Sequence, residues 1–121
     1  MRTYTIYLGI NKDAYTYYYA NKLSKIPFSN YGIVVGKDCR IEDNCVIDND
    51  VFIFDGCLIK NDVNIGYGSI VKSGCIIAKN TTIKENCYFG YGCVIAPYTT
   101  IKKHSRFADH TFLTHNANML Y

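Results

Sequence analysis

Residues 51–78, VFIFDGCLIKNDVNIGYGSIVKSGCIIA, carry a large apolar residue at every sixth position. The same period runs from residue 33 to the end of the chain, so the sequence is an internal repeat. A small or β-branched residue stands two positions before each large one, the spacing of two side chains on one side of a β-strand. The large residues are Val35, Ile41, Ile47, Ile53, Ile59, Ile65, Val71, Ile77, Ile83, Phe89, Ile95, Ile101, Phe107, Leu113 and Met119.

A second pattern predicts a tight corner after each short strand. The third residue after the large apolar one is Asp, Asn or Gly through the first ten units, and these types tolerate a positive φ. They are Asp38, Asn44, Asp50, Gly56, Asp62, Gly68, Gly74, Asn80, Asn86 and Gly92. A short strand followed by a tight corner, repeated many times, predicts a coil.

This hexapeptide pattern resembles that of the hexapeptide-repeat acyltransferases. Their fold is a left-handed parallel β-helix in which three units complete one triangular turn. The resemblance implies an all-β protein with about five coils over residues 33–121, at eighteen residues per coil. The left hand rests on the resemblance alone, because most parallel crossovers are right-handed.

The two ends of the chain are interpreted separately. Residues 1–32 do not repeat, and we expect them to form a cap over the first coil. TYTIYLGI (3–10) alternates like a strand, whereas DAYTYYYANKLSKI (13–26) has helical spacing, with Asp13 as a helix N-cap and Pro27 ending the helix. Only six residues follow His115, so the last coil would expose a parallel edge. Either the chain is a fragment of a longer enzyme or another element covers that edge.

Composition limits the classes of function. A chain of 121 residues is enough for one domain, and its formal net charge of +3 comes without a dense basic run, which argues against a nucleic-acid partner. The sequence has neither an apolar run long enough to span a membrane nor a secretory signal, so the expected location is cytoplasmic.

Four of the six cysteines, Cys39, Cys57, Cys75 and Cys93, are eighteen residues apart and should stack on one line. They could form a metal or disulfide ladder, but Val, Ser and Thr fill the equivalent positions elsewhere. We interpret them as small buried thiols that fill a narrow core, and we expect no metal.

The outward residue of each unit defines three faces of the coil. The Leu58 face carries Arg40, Leu58, Ile76, Val94 and Phe112; the Phe52 face carries Phe52, Ile70, Tyr88 and Arg106; the polar face carries Val46, Asn64, Thr82, Thr100 and Asn118. Two apolar faces are more than a soluble monomer usually exposes. Two unlike contact faces close into a ring, which predicts a homotrimer, as in the family that the chain resembles.

The corner pattern changes near the end of the chain. Tyr98, His104 and His110 fill the corner position before Asn116 restores it, and local rules tend to fail at functional sites. The family that the chain resembles carries an aliphatic-x-His-(Asp/Glu)-small unit whose histidine is the catalytic base, and residues 113–117, LTHNA, match it with Asn116 in the acid position. The resemblance implies His115 as general base. We expect Asn116, Tyr98, His110 and His104 to contact substrate, and no residue is assigned to the co-substrate.

These observations favour a CoA-dependent acyltransferase, with acetyl-CoA as the expected donor and an amine or hydroxyl of a sugar nucleotide as the acceptor. An alternative is a non-catalytic hexapeptide column that serves as a trimerisation or carbohydrate-binding scaffold. A third reading is a carbonic-anhydrase-like protein with zinc at a subunit interface. One chain cannot gather its histidines for such a site, because they lie on successive corners.

Overall fold

The structure, a computed structural model, describes residues 2–18 and 25–114. An N-terminal hairpin of β1 (Thr3–Leu8) and β2 (Asp13–Tyr18) is followed by a short helix, α1 (Lys25–Ser29), and then by fourteen two-residue strands. These are β3 (Val34–Val35), β4 (Arg40–Ile41), β5 (Val46–Ile47), β6 (Phe52–Ile53), β7 (Leu58–Ile59), β8 (Asn64–Ile65), β9 (Ile70–Val71), β10 (Ile76–Ile77), β11 (Thr82–Ile83), β12 (Tyr88–Phe89), β13 (Val94–Ile95), β14 (Thr100–Ile101), β15 (Arg106–Phe107) and β16 (Phe112–Leu113).

The short strands stack into three parallel sheets, one for each side of a triangular column. Every third strand belongs to the same sheet, and residues eighteen apart are paired, as Ile76 is with Leu58 and Val94. The protein is therefore a left-handed parallel β-helix of about four turns within the described residues, and the predicted fold is confirmed. The outward residues line up on the polar, Phe52 and Leu58 faces as predicted, and Val34 extends the Phe52 face downward.

The interior of the column is filled by the two inward residues of each unit. The large members from Ile41 to Ile101 are almost completely buried, and the smaller residues between them are buried as well. Most of the small side chains donate a hydrogen bond to the carbonyl fifteen residues later, in the next turn. Examples are the Cys45 thiol to Lys60 O at 2.9 Å and the Ser69 hydroxyl to Lys84 O at 3.2 Å. These bonds tie each turn to the one above it.

The N-terminal segment corrects part of the prediction. Residues 3–10 form a strand over Thr3–Leu8, as expected, but the helix predicted from Asp13 is wrong, because Asp13–Tyr18 is strand β2. The segment pairs antiparallel with β1 through a turn in which Gly9 has a φ of 76° and Lys12 a φ of 54°. Its Thr and Tyr residues suit a strand whose neighbour supplies backbone partners. Residues 19–24 lie outside the described part, and Pro27 lies inside α1 instead of ending a longer helix.

The hairpin and α1 close the lower end of the column. Strand β1 pairs with β5, so the hairpin adds two strands, β1 and β2, to the sheet behind the polar face, while Phe28 of α1 is buried against the core. Beneath β4, the Tyr17 hydroxyl donates to the carbonyl of Ile41 and accepts from the Ile41 N–H at 3.0 Å. One phenol thus satisfies two backbone groups that would otherwise lack partners. Burial raises the pKa of Tyr17.

Candidate active site

The corner residues adopt the backbone that the sequence predicts for them. All thirteen corner positions from Asp38 to His110 have a positive φ, between 56° and 76°. Asn, Asp and Gly adopt this left-handed conformation readily, which explains why the first ten corners use only these residues.

The last three described corners do not use Asn, Asp or Gly. Tyr98, His104 and His110 hold φ values of 60°, 64° and 61°, although a left-handed backbone costs an ordinary L-residue roughly 1–2 kcal/mol. Each is fixed by a hydrogen bond from its N–H to the turn below. The acceptors are Lys79 O at 3.1 Å, Glu85 O at 3.0 Å and Tyr91 O at 2.7 Å, in that order. Because this conformational energy is spent at three consecutive corners, the turn is a candidate functional region.

The three residues do not meet within one chain. Tyr98 follows a Leu58-face strand, His104 a polar-face strand and His110 a Phe52-face strand, so each lies on a different edge of the column. We name these edges the Tyr98, His104 and His110 corners. The predicted base His115 and its neighbour Asn116 lie outside the described residues. The prediction that Asn116 stacks above Tyr98, eighteen residues earlier in the chain, also falls outside the described residues.

The His110 corner is shaped by a glycine below it. A side-chain carbon added to Gly92 would lie only 2.6 Å from Nδ1 of His110, so the imidazole packs directly over the Gly92 backbone. Beside it, Asp109 accepts a hydrogen bond from the Tyr91 N–H at 2.9 Å. Gly92 is therefore needed both for its φ of 67° and for the room it leaves to the ring.

The other two corners differ in their surroundings. Tyr98 is 64% exposed, and the Lys79 ammonium lies 5.9 Å from the centre of its ring, within range of a cation–π contact. At the His104 corner three of the neighbouring exposed side chains are basic, Lys84 in the turn below and Lys102 and Lys103 in the same turn. Glu85, in the turn below, is an exposed acidic neighbour. That corner therefore carries a net positive charge, whereas the Tyr98 corner presents an aromatic ring.

A shallow open depression of about 240 Å³ lies along the polar face, below the His104 corner. It is lined by Lys12, Val46, Asp48, Asn64, Ile65, Gly66, Ile83, Lys84 and Glu85. The sequence did not reveal it, because Lys12 lies in the turn of a hairpin whose second strand was predicted to be a helix. Gly66 was the available signal, since any side chain there would meet the backbone of Lys84 and Glu85 within 2.7 Å.

Two features are absent from residues 2–18 and 25–114. No group of three or more His, Cys, Asp or Glu side chains is placed to hold a metal ion there. No helix in that part of the chain has the length and apolar character needed to cross a membrane.

Comparison with known proteins adds little to this geometry. No protein-family model and no curated protein sequence matches the chain. One solved structure that it resembles is a proposed acetyltransferase from Bacillus cereus, with 17% sequence identity and a TM-score of 0.36. The match covers 67% of this chain and 61% of that protein, so the chain spans about three fifths of the other's length. At this identity and TM-score the likeness assigns no activity to this chain.

Proposed function

We propose that this protein is a CoA-dependent acyltransferase that transfers an acetyl group to an amine or hydroxyl of a sugar nucleotide. It acts as a homotrimer, and His115 is its general base. The observation that carries the proposal is the change at the corners next to the LTHNA segment. There Tyr98, His104 and His110 occupy left-handed positions that the earlier corners fill with Asn, Asp or Gly. The β-helix supports it, because this is the fold of the family whose catalytic unit the LTHNA segment resembles.

The two apolar faces support a ring of three protomers. In a threefold ring the Phe52 face of one protomer packs on the Leu58 face of the next, with equal turns at equal height. Phe52 then meets Leu58, Ile70 meets Ile76, and Tyr88 meets Val94. The cations at the two ends, Arg40 and Arg106, lie in different turns and so never oppose each other. Phe52 is 41% and Ile76 40% exposed in the single chain, so both have apolar surface left to bury.

The same ring decides which corners share a cleft. The His110 corner joins the two contact faces and therefore points to the threefold axis. The other two corners border the polar face and lie at the outer rim of each interface. The Tyr98 corner of one protomer then faces the His104 corner of its neighbour across a cleft, and the repeat spacing predicts that His115 belongs to the Tyr98 corner. Tyr98 and His104 fit a substrate role in this arrangement, whereas His110 would act away from the cleft.

The chemistry assigned to the cleft is transfer of an acyl group from a thioester. The acceptor nitrogen or oxygen attacks the thioester carbonyl while the His115 imidazole takes its proton; the bond to the acceptor forms and the carbon–sulfur bond breaks. The CoA thiolate leaves and recovers a proton from the imidazolium. An imidazole with a pKa near 6.5 is suited to accept and return a proton at cellular pH. We assign contacts with the phosphates of the substrates to Lys84, Lys102 and Lys103 of the neighbour, with the exposed Glu85 beside them.

A transfer assay with acetyl-CoA and a panel of 4-amino and hydroxyl sugar nucleotides tests the proposal. We expect wild type to form acetylated product, and His115→Ala to lose roughly 10²–10⁴-fold in rate, the usual contribution of a general base. Asn44→Gly is the matched control, because it changes a corner residue at the far end of the column. Equal rates for wild type and His115→Ala would remove the catalytic role of His115, and no transfer to any acceptor would contradict the acyltransferase.

One observation favours a second candidate, the non-catalytic scaffold. Asn116 stands where the family that the chain resembles commonly has an acid, and a neutral amide stabilises an imidazolium less than a carboxylate does. A scaffold predicts trimers that bind neither acetyl-CoA nor sugar nucleotides. The acyltransferase predicts that both ligands bind, and calorimetric titration of each separates the two functions.

A further inference from the structure

A gap in one row of corner side chains forms the depression on the polar face. Residues eighteen apart stack, so Asp48, Gly66 and Lys84 occupy the same corner position in three successive turns. Backbone hydrogen bonds hold the turns in this order, and Gly66 donates from its N–H to Ile83 O at 2.7 Å. Because glycine has no side chain, a space of about 240 Å³ remains between the aspartate and the lysine, and we call it the Gly66 depression.

The path of the chain keeps this space open. A side-chain carbon at position 66 would lie 2.6 Å from the carbonyl carbon of Lys84 and 2.7 Å from the backbone nitrogen of Glu85. Both contacts are with backbone atoms, which cannot turn aside as the end of a flexible side chain could. The opening therefore depends on the backbone and not on the rotamer of any one side chain.

The N-terminal hairpin forms the lower wall of the Gly66 depression. Strand β1 pairs with β5, and the Ile10 N–H donates to Oδ1 of Asn49 at 3.2 Å, so the turn of the hairpin is held against the column. Lys12 lies in the same turn and lines the depression on the side of Asp48. The site therefore combines a turn of the hairpin with three turns of the repeat.

Each rim of the Gly66 depression carries one cation and one anion. The lower rim has Lys12 and Asp48, and the upper rim has Lys84 and Glu85. Within residues 2–18 and 25–114, no ion pair joins either of these lysines to either carboxylate. Two positive and two negative charges give the lining no net charge, while all four groups can still form hydrogen bonds with a ligand.

The arrangement of these charges selects the class of ligand. An anion such as phosphate would meet a carboxylate at either rim, and a zwitterion would meet a like charge at each of its two ends. A hydroxyl group both donates and accepts hydrogen bonds, so a ring with several hydroxyls can bind ammonium and carboxylate groups together. Between the rims, the Asn64 amide offers further hydrogen bonds, and Val46 offers an apolar surface to the C–H groups of such a ring.

We propose that the Gly66 depression binds one pyranose unit of an uncharged carbohydrate. Pockets for drug-sized ligands usually measure about 300–1,000 Å³, so a space of about 240 Å³ suits a single sugar ring and not a whole sugar nucleotide. Every residue that lines the depression comes from the same chain. The site is therefore independent of the ring of protomers and of His115, and it is separate from the cleft assigned to acyl transfer.

Titration of the full-length, ¹⁵N-labelled protein with methyl pyranosides, followed by two-dimensional NMR, tests this proposal. The probes are the methyl glycosides of glucose, galactose, mannose and N-acetylglucosamine, and inorganic phosphate and free glycine serve as anionic and zwitterionic comparisons. Asn64→Trp fills the depression. Thr100→Trp is the matched control, because both residues are exposed outward positions of the polar face and Thr100 lies outside the depression. Melting temperatures check that both variants fold.

We expect at least one glycoside to shift the amide signals of Asp48, Gly66 and Lys84, with a dissociation constant in the millimolar range that a ligand of about a dozen non-hydrogen atoms permits. Asn64→Trp should weaken this binding roughly tenfold or more, whereas Thr100→Trp should bind like wild type.

A second variant, Asp48→Ala, tests the lower rim without filling the space. Alanine already occupies the same corner position at Ala78 and Ala96, so the variant is expected to fold, and loss of a charged acceptor should weaken binding severalfold. The proposal is overturned if no glycoside binds, if Asn64→Trp and Asp48→Ala bind as wild type does, or if phosphate or glycine binds at these signals more tightly than every glycoside. Shifts confined to Tyr98 and His104 would place the sugar in the acyl-transfer cleft and would also overturn it, without contradicting the acyltransferase.

Discussion

The two ends of the column are built from the same six-residue unit but differ in how their polar groups are satisfied. At the lower end, β1 extends one sheet and the Tyr17 hydroxyl serves both backbone groups of Ile41. In the last described turn, three corners hold residues that strain the backbone. At the lower end, added strands and side chains thus satisfy the backbone groups of the column. In the last described turn, residues in an unfavourable backbone conformation lower the local stability, which is typical of a functional site.

Hydrogen bonds inside the column show the same contrast. In the lower turns the small inward side chains reach up to the next turn, as Thr81 does to Ala96 O at 3.1 Å. In the upper turn the hydroxyls of Thr99, Ser105 and Thr111 bond instead to the carbonyl three residues before them, each at 2.7 Å. These bonds tie each of the three inward side chains to its own corner.

The largest expected difference between the two regions lies in the core. Phe89 and Phe107 stack with their ring centres 5.3 Å apart, but Phe89 is fully buried and Phe107 only partly. We expect Phe89→Ala to lower the free energy of unfolding by about 3–5 kcal/mol, and Phe107→Ala by roughly half as much or less. Urea unfolding at one protein concentration measures both. Equal losses would mean that the upper turn is as tightly closed as the interior.

A smaller effect is expected from the closure of the lower end. Tyr17→Phe leaves the N–H and carbonyl of Ile41 without their partner, which should cost about 1–3 kcal/mol, while Tyr18→Phe on the exposed side of β2 should cost little.

The raised pKa of Tyr17 adds a dependence on pH. The fold favours the protonated phenol, so its contribution is complete below the ordinary pKa of 10.0 and is lost as the pH rises above that value. Wild type should therefore lose stability above pH 10 more steeply than Tyr17→Phe. The free energy of unfolding of each protein is measured against pH. If it falls in parallel for wild type and Tyr17→Phe, Tyr17 does not close the column.

The smallest effect tests how His110 is held. Gly74 and Gly92 both have a positive φ, but a side chain at Gly74 would meet nothing within 4 Å, whereas one at Gly92 would strike the His110 ring. Gly74→Ala should cost about 1 kcal/mol for the backbone alone, and Gly92→Ala about 1 kcal/mol more. Adding His110→Ala to Gly92→Ala should remove that excess. If the additional cost of Gly92→Ala persists in the double variant, the His110 ring is not the reason that a glycine is required below it.

Most of the column could be predicted from the sequence, because its structure is local and repeated. A side chain two positions from Ile41 or Ile59 must point the same way, and a corner of Asn, Asp or Gly must follow. The hairpin could not be predicted in this way. Tyr15, Tyr19 and Leu23 have helical spacing, but β1 and the lower end of the column offered backbone partners that the local pattern does not reveal.

The candidate site was predictable only in part. The sequence identified Tyr98, His104 and His110 as exceptions to the corner pattern, and the structure gives them the same positive φ as the Asn, Asp and Gly residues at the other corners. With three units per turn, the sequence also predicted that the histidines lie on successive corners, and the structure places Tyr98, His104 and His110 on three separate edges. Which of them share a cleft depends on a neighbouring protomer, so their roles, like those of His115 and Asn116, stay predictions.

The arrangement of the ring is the claim on which the cleft depends, and disulfide cross-linking tests it most directly. Ile70 and Ile76 lie on different faces in the same turn and cannot reach each other within one chain. Oxidation of Ile70→Cys/Ile76→Cys should therefore give covalent trimers, while either single variant stays uncross-linked. Covalent dimers from Ile76→Cys alone would mean that two Leu58 faces pack on each other, and would contradict the ring together with the cleft between Tyr98 and His104.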